Sequence, residues 1–416
     1  MSSILNLSEN ILKFVDIELI KLLPLVLFFT FFLFQKKFVI DIRHIAFLFI
    51  IFPASIPFIA SLFNLENINL REFELQNDIY ITAAVILYTM NGFFFILGCF
   101  TGRQYLWIKN LKRIFISNRL VCIALLAAII IVTFFIESGN VILSNYSSIK
   151  DNAISYSSLT NQIFNLLVVL FATSISRLNN PKVKLIYFFY IFSILQLLII
   201  SRRTTCIGMI ILFLYLIRDR IRKFYLLWIG VILLFSLVVI GELRDQGIST
   251  CFYSQCFSLN ELISKMQQKS VWMDPIGVGN IFVTTLGTIY LKINSIYSNF
   301  NGIPILKWPS GIFEYDIYQK QLSYIGGMHI VNIFYWNFGI PGVIILSYLL
   351  GKLFRIAHYS LMLINREGVN ILTVLGSCLA LQVPNLFWYH PMGFIKLFLS
   401  AFVAFLVLNK LNISRI

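Results

Sequence analysis

Apolar runs recur along the whole of this 416-residue chain. Each is long enough, at about twenty residues, to approach the ~30 Å hydrocarbon core of a bilayer as a helix. Lipid offers no hydrogen-bond partner to an open backbone, so continuous runs of this kind must be helical. Eleven spans are read: Ile17–Phe34, Ile45–Phe63, Ile79–Thr101, Leu120–Ile136, Leu159–Ser176, Leu185–Ile200, Thr204–Ile217, Tyr225–Gly241, His329–Leu350, Asn370–Trp388 and Phe394–Leu408. The expected fold is all-α, a single polytopic membrane domain over residues 1–416. Charge content supports this, because only 12% of residues are charged against about a quarter in soluble domains. No small-residue cleavage pattern follows the first run, which is expected to start insertion. No internal repeat is visible, which argues against transporters built from inverted repeats.

The formal charge is +15, and its placement decides its meaning. Arg103, Lys109, Lys112, Arg113 and Arg119 crowd one connection, and Arg218, Arg220, Arg222 and Lys223 crowd another. By the positive-inside rule these face the cytoplasm, which sets the amino terminus outside and the carboxyl terminus inside. The charge is then topology, and no nucleic-acid partner is expected. No G-x-x-x-x-G-K-[ST] phosphate loop occurs, and Gly277-Val278-Gly279 follows no strand, so nucleotide-driven chemistry is not expected. Cys99, Cys122, Cys206 and Cys378 fall in spans and read as packing residues. Cys251 and Cys256 lie outside the spans, open either to a disulfide or to free thiols.

Polar material concentrates in one outer segment, 242–328, between spans 8 and 9. Within it Ile276–Tyr297 is apolar enough for a helix lying on the membrane surface. Trp308, Tyr315, Tyr318 and Tyr324 interleave with polar residues there, a pattern that suits glycan binding and equally an interfacial aromatic belt. Arg202 and Arg203 stand on the outer side between two short runs. Thr204–Ile217 reaches only about 21 Å, so the pair is expected below the outer surface. Arginine at membrane depth costs roughly 2.5–3.5 kcal/mol and calls for an anion, which the guanidinium binds in a bidentate way. Arg244 opens the large segment and is a third candidate clamp.

Of four histidines, His44 and His358 are expected in inner connections, and His329 and His390 outside. His329, in Gly326-Gly327-Met328-His329, is the stronger candidate for proton transfer. Among outer carboxylates Glu314 and Asp316, flanking Tyr315, are preferred. No H-E-x-x-H or zinc-type Cys/His spacing occurs, so no metal and no cofactor are expected.

Three features together carry a resemblance: Ser201-Arg202-Arg203-Thr204-Thr205 between two spans, Arg244 after the eighth span, and Gly326-Gly327-Met328-His329 through Asn337-Phe338-Gly339-Ile340-Pro341-Gly342. The layout resembles the Wzy-type O-antigen and capsule repeat-unit polymerases of bacterial inner membranes, relatives of the O-antigen ligases. Where related members often carry an acidic residue after the large segment, this chain has Asn332. The resemblance implies a GT-C-like membrane glycosyltransferase whose donor and acceptor are undecaprenyl-pyrophosphate-linked glycans. Membrane lipid and a chain-length regulator protein are the other partners it implies. Arg202, Arg203 and Arg244 would hold pyrophosphate. His329, Arg244, Glu314 and Asp316 would serve the chemistry. A ligase acting on lipid A core and a lipid-linked oligosaccharide flippase are the rival readings.

Overall fold

The computed structural model describes residues 17–33, 41–62, 78–101, 111, 119–137, 162–174, 190–194, 203–217, 281–282, 284–289, 329–367, 369–388 and 392–410. Among these residues there is no strand, and the ordered elements are helices. They are α1 (Ile17–Leu33), α2 (Ile42–Leu62), α3 (Asp78–Phe100), α4 (Arg119–Glu137), α5 (Gln162–Ser174), α6 (Arg203–Ile217), α7 (Ile330–Glu367), α8 (Ile371–Trp388) and α9 (Met392–Lys410). Three stretches are long and apolar enough to cross a membrane: Ile79–Phe100, Ile330–Leu363 and Ile371–Trp388. On α9, Leu399, Val403, Leu406 and Val407 repeat at helical spacing and stay exposed. An apolar outward face of that kind suits lipid.

The chain divides into two compact units. The first holds residues 1–101, 277–355 and 387–390. In it α1, α2 and α3 pack on one another, and Tyr88, Phe282, Leu286, Ile289, Val331 and Val343 share a core with Ile20 and Ala54. Residues 281–289 lie in the stretch expected as a surface helix. The side chains described there are buried, and Phe282, Leu286 and Ile289 belong to this core.

Small residues let α3 and the first part of α7 approach closely. A Cβ on Gly98 would sit 2.1 Å from the Tyr348 carbonyl oxygen, and one on Gly351 would sit 2.1 Å from that of Phe95. Backbone-to-backbone packing through glycine is how helices associate where lipid removes the hydrophobic drive. Polar pairs line the same seam. Ser347 Oγ donates to Asn91 Oδ1 at 2.6 Å, Cys99 Sγ to the Gly351 carbonyl, and Arg355 to the Thr101 carbonyl.

Proline explains a second tie. Pro53 in α2 has no N–H to give the carbonyl four residues back, at Phe49. The Trp388 indole N–H donates to that carbonyl instead, at 3.0 Å, and the Trp388 and Phe49 ring centroids lie 4.2 Å apart.

α2 opens on Asp41, whose carboxylate accepts from the Arg43 backbone N–H and pairs with its guanidinium. α7 is broken at Gly339, with φ 66° and ψ −156°, two residues before Pro341. Only glycine holds that backbone without strain.

The second unit holds residues 102–276, 356–386 and 391–416. Gly208 of α6 meets the Leu381 carbonyl of α8 with no room for a Cβ. Tyr190 is stacked between Phe171 and Phe213 and donates to the Met209 carbonyl. Asn370 caps α8 by accepting from the Leu372 and Thr373 N–H groups. His358, expected in an inner connection, lies inside α7 and bonds the Tyr215 hydroxyl at 3.1 Å. His44 likewise lies within α2. Span 9 was expected to end at Leu350. The helix continues to Glu367, because charged Lys352, Arg355 and Arg366 interrupt hydropathy without interrupting helix.

Candidate functional site

α7 begins where the long polar segment ends, and its first turn is built unusually. His329 stands at the cap position. Its Nδ1 accepts the Val331 backbone N–H at 3.1 Å, and its carbonyl accepts the Asn332 N–H at 2.9 Å. An imidazole here does the work that Ser, Asp or Asn does at most helix starts. The hydrogen bond also fixes the ring's protons. A protonated ring would aim an N–H at the Val331 N–H, so the ring is neutral and its hydrogen sits on Nε2.

That Nε2 has no hydrogen-bond partner among the described residues, although His329 is 0% exposed. The Phe49 carbonyl, which accepts from the Trp388 indole, has a second lone pair and also interacts with the His329 ring. One turn on, Asn332 is 1% exposed, and both Nδ2 and Oδ1 lack partners. Orphaned buried groups cost about 1–3 kcal/mol each, and native proteins keep few of them. The Asn332 carboxamide, with both polar atoms orphaned, is the costliest group of this turn.

The surroundings are aromatic. The Tyr88 ring meets His329 edge-on at 4.7 Å, and Phe387 lies at 6.0 Å. Tyr88 stacks on Phe282, and its hydroxyl pairs with Thr285 Oγ1 at 2.7 Å. One turn along α3 from Tyr88, Asn91 is buried with its Nδ2 unpartnered. Neutral hydrogen-bonding groups against flat apolar walls can bind and orient an uncharged polar ligand such as a sugar. Among the described residues no group of three His, Cys, Asp or Glu side chains could hold a metal.

Of the residues singled out from sequence, His329 falls in this cluster. Arg203 is the first residue of α6 rather than part of the preceding turn, since a helix can start on any residue whose N–H needs no partner. Arg202, Arg244, Glu314, Asp316, Trp308, Tyr315, Tyr318, Tyr324, His390, Cys251 and Cys256 lie outside the described residues. Cys99, Cys122, Cys206 and Cys378 are buried free thiols. Tyr88 and Thr285 escaped sequence reasoning, because a tyrosine or threonine inside an apolar run has no local signal of a partner 197 positions away.

Fold and site together define a helical, membrane-associated protein with a neutral polar cluster buried among aromatic rings. No family model, curated protein or solved structure matches the chain.

Proposed function

We propose that this protein is a lipid-pyrophosphate-dependent glycosyltransferase of the bacterial inner membrane. In this reading it joins undecaprenyl-pyrophosphate-linked repeat units into O-antigen or capsular polysaccharide at the outer face. The reading takes the eleven spans as a GT-C-like bundle with a periplasmic amino terminus. The observation that carries it is the buried, unpartnered Asn332 carboxamide one turn after His329, directly following the aromatic outer segment in a chain of apolar helices.

The reaction is a displacement. The acceptor hydroxyl oxygen bonds to the donor's anomeric carbon, the bond from that carbon to the pyrophosphate oxygen breaks, and the lipid pyrophosphate leaves with the electron pair. Arg202, Arg203 and Arg244 hold the pyrophosphate and stabilise its growing charge. The neutral Nε2–H of His329 orients a glycan oxygen, and Glu314 or Asp316 takes the hydroxyl proton. Trp308, Tyr315, Tyr318 and Tyr324 carry the glycan. No nucleotide enters this scheme.

Deletion of the gene from a producing strain tests the reading against its rivals. A polymerase leaves single repeat units on the lipid A core. An uncapped core indicates a ligase or a flippase instead, and unchanged long chains sink the proposal.

A further inference from the structure

We infer that the carboxyl end of α3 and the facing turn of α7 form a binding site for an anionic phospholipid, with its headgroup on Lys352 and an acyl chain along Ile345 and Leu349. The stretch Ile79–Phe100 is about 33 Å long at 1.5 Å per residue, so its last residues lie at the edge of a ~30 Å hydrocarbon core. By the positive-inside rule this edge is the inner one. Three cations meet there. Arg43 lies over the Phe100 ring, 5.2 Å from its centroid. Arg355 donates to the Thr101 carbonyl. Lys352 Nζ lies 4.7 Å from the centroid of the Tyr348 ring, and Tyr348 Oη stands 3.2 Å from Thr101 Oγ1.

Two of the three are answered within the protein. The Asp41 carboxylate holds Arg43, with His44 Nδ1 3.8 Å from the same carboxylate. Arg355 sits on the negative end of the α3 dipole. Lys352 differs. It is half-buried, and its ammonium meets a ring and a hydroxyl but no carboxylate among the described residues. An aromatic face attracts a cation without neutralising it. At a membrane edge the missing charge is supplied by a phosphate of the adjacent leaflet. The same side of α7 supplies the rest of a lipid's contacts. Ile345, Leu349 and Lys352 recur at steps of four and three, so they line one face of the helix. Ile345 and Leu349 are more than half exposed. A soluble phosphate would find the ammonium but gain nothing from that apolar stripe. A zwitterionic headgroup brings its own cation to the lysine, so a net-anionic lipid is favoured.

The site stands apart from the polymerase reading, and its test needs no activity. The full-length protein is purified into micelles holding equal amounts of phosphatidylglycerol and phosphatidylcholine with the same acyl chains, and the lipids it retains are counted by native mass spectrometry. The wild type is expected to retain mainly phosphatidylglycerol. Lys352→Gln is expected to lower the ratio of phosphatidylglycerol to phosphatidylcholine about 5-fold, the worth of one lysine beside anionic lipid. Lys352→Arg keeps the ratio. Lys396→Gln, the same charge change on an exposed lysine of α9, leaves it unchanged. Equal retention of the two lipids by the wild type overturns the inference. So does a preference that survives in Lys352→Gln, or an equal loss in Lys396→Gln. An excess of inorganic phosphate is expected to leave the bound phosphatidylglycerol in place. Its displacement would assign the site to a free anion and overturn the lipid. If Lys352→Gln does not fold, Tyr348→Phe decides, because it keeps the ring and loses the hydroxyl. A lowered ratio there supports the site, and an unchanged one overturns it.

Discussion

Replacing Asn332 by leucine should make this protein more stable and, on the proposed function, less active. The carboxamide is 1% exposed and both its polar atoms are orphaned. Each orphaned group costs about 1–3 kcal/mol. Leucine has the same branching but is the larger side chain, so it leaves no cavity and gives back part of the gain as overpacking. Most of the penalty is thereby removed. A gain of about 1–3 kcal/mol is expected after allowing for imperfect packing. The assay is reversible unfolding in mixed detergent micelles with increasing sodium dodecyl sulfate, followed by tryptophan fluorescence. A loss of about 1 kcal/mol or more would refute the reasoning, because it would mean that the amide makes native hydrogen bonds. Sites that hold a ligand often carry this conflict between stability and function.

The glycine seam gives a second expectation. Gly351→Ala forces a Cβ against the Phe95 carbonyl, so α3 and α7 must separate, at about 1–3 kcal/mol, measured in the same unfolding assay. Gly339→Ala meets no atom closer than 3.8 Å, but its positive φ should cost about 1–3 kcal/mol through backbone strain alone. A neutral result there would show that the break in α7 relaxes easily. Changing Arg202 or Arg203 to Ala should shorten polymer chains at unchanged protein level, with Lys restoring length only in part because it loses the bidentate contact. Wild-type chain lengths in both Ala variants would end the anion-clamp role.

Among the described residues hydropathy located helices because lipid forces an apolar run to close its own hydrogen bonds, while the expected span Tyr225–Gly241 and most of Leu185–Ile200 lie outside those residues. The run read as Ile79–Thr101 is the helix Asp78–Phe100, and Leu120–Ile136 is Arg119–Glu137. It failed at Leu350, where charge was taken as the end of a span. Arg355 and His358 are instead used inside the helix, one on the Thr101 carbonyl and one on the Tyr215 hydroxyl. Pro53 announced a free carbonyl at Phe49, but nothing nearby pointed to Trp388 as the donor. Gly98 and Gly351 are likewise plain glycines until the fold presses each onto the other's helix. His329 was legible because it sits at the junction of a long polar segment and an apolar run. Its proton placement was not, since that depends on the Val331 N–H, which only the capped turn brings to Nδ1.

The most direct test of the central claim uses the purified protein in proteoliposomes, supplied with undecaprenyl-pyrophosphate-linked repeat units and no nucleotide. The glycan products are then resolved by length. Polymerase activity predicts a ladder that lengthens with time as lipid pyrophosphate is released. Repeat units that stay single, or that merely cross the bilayer intact, would contradict it.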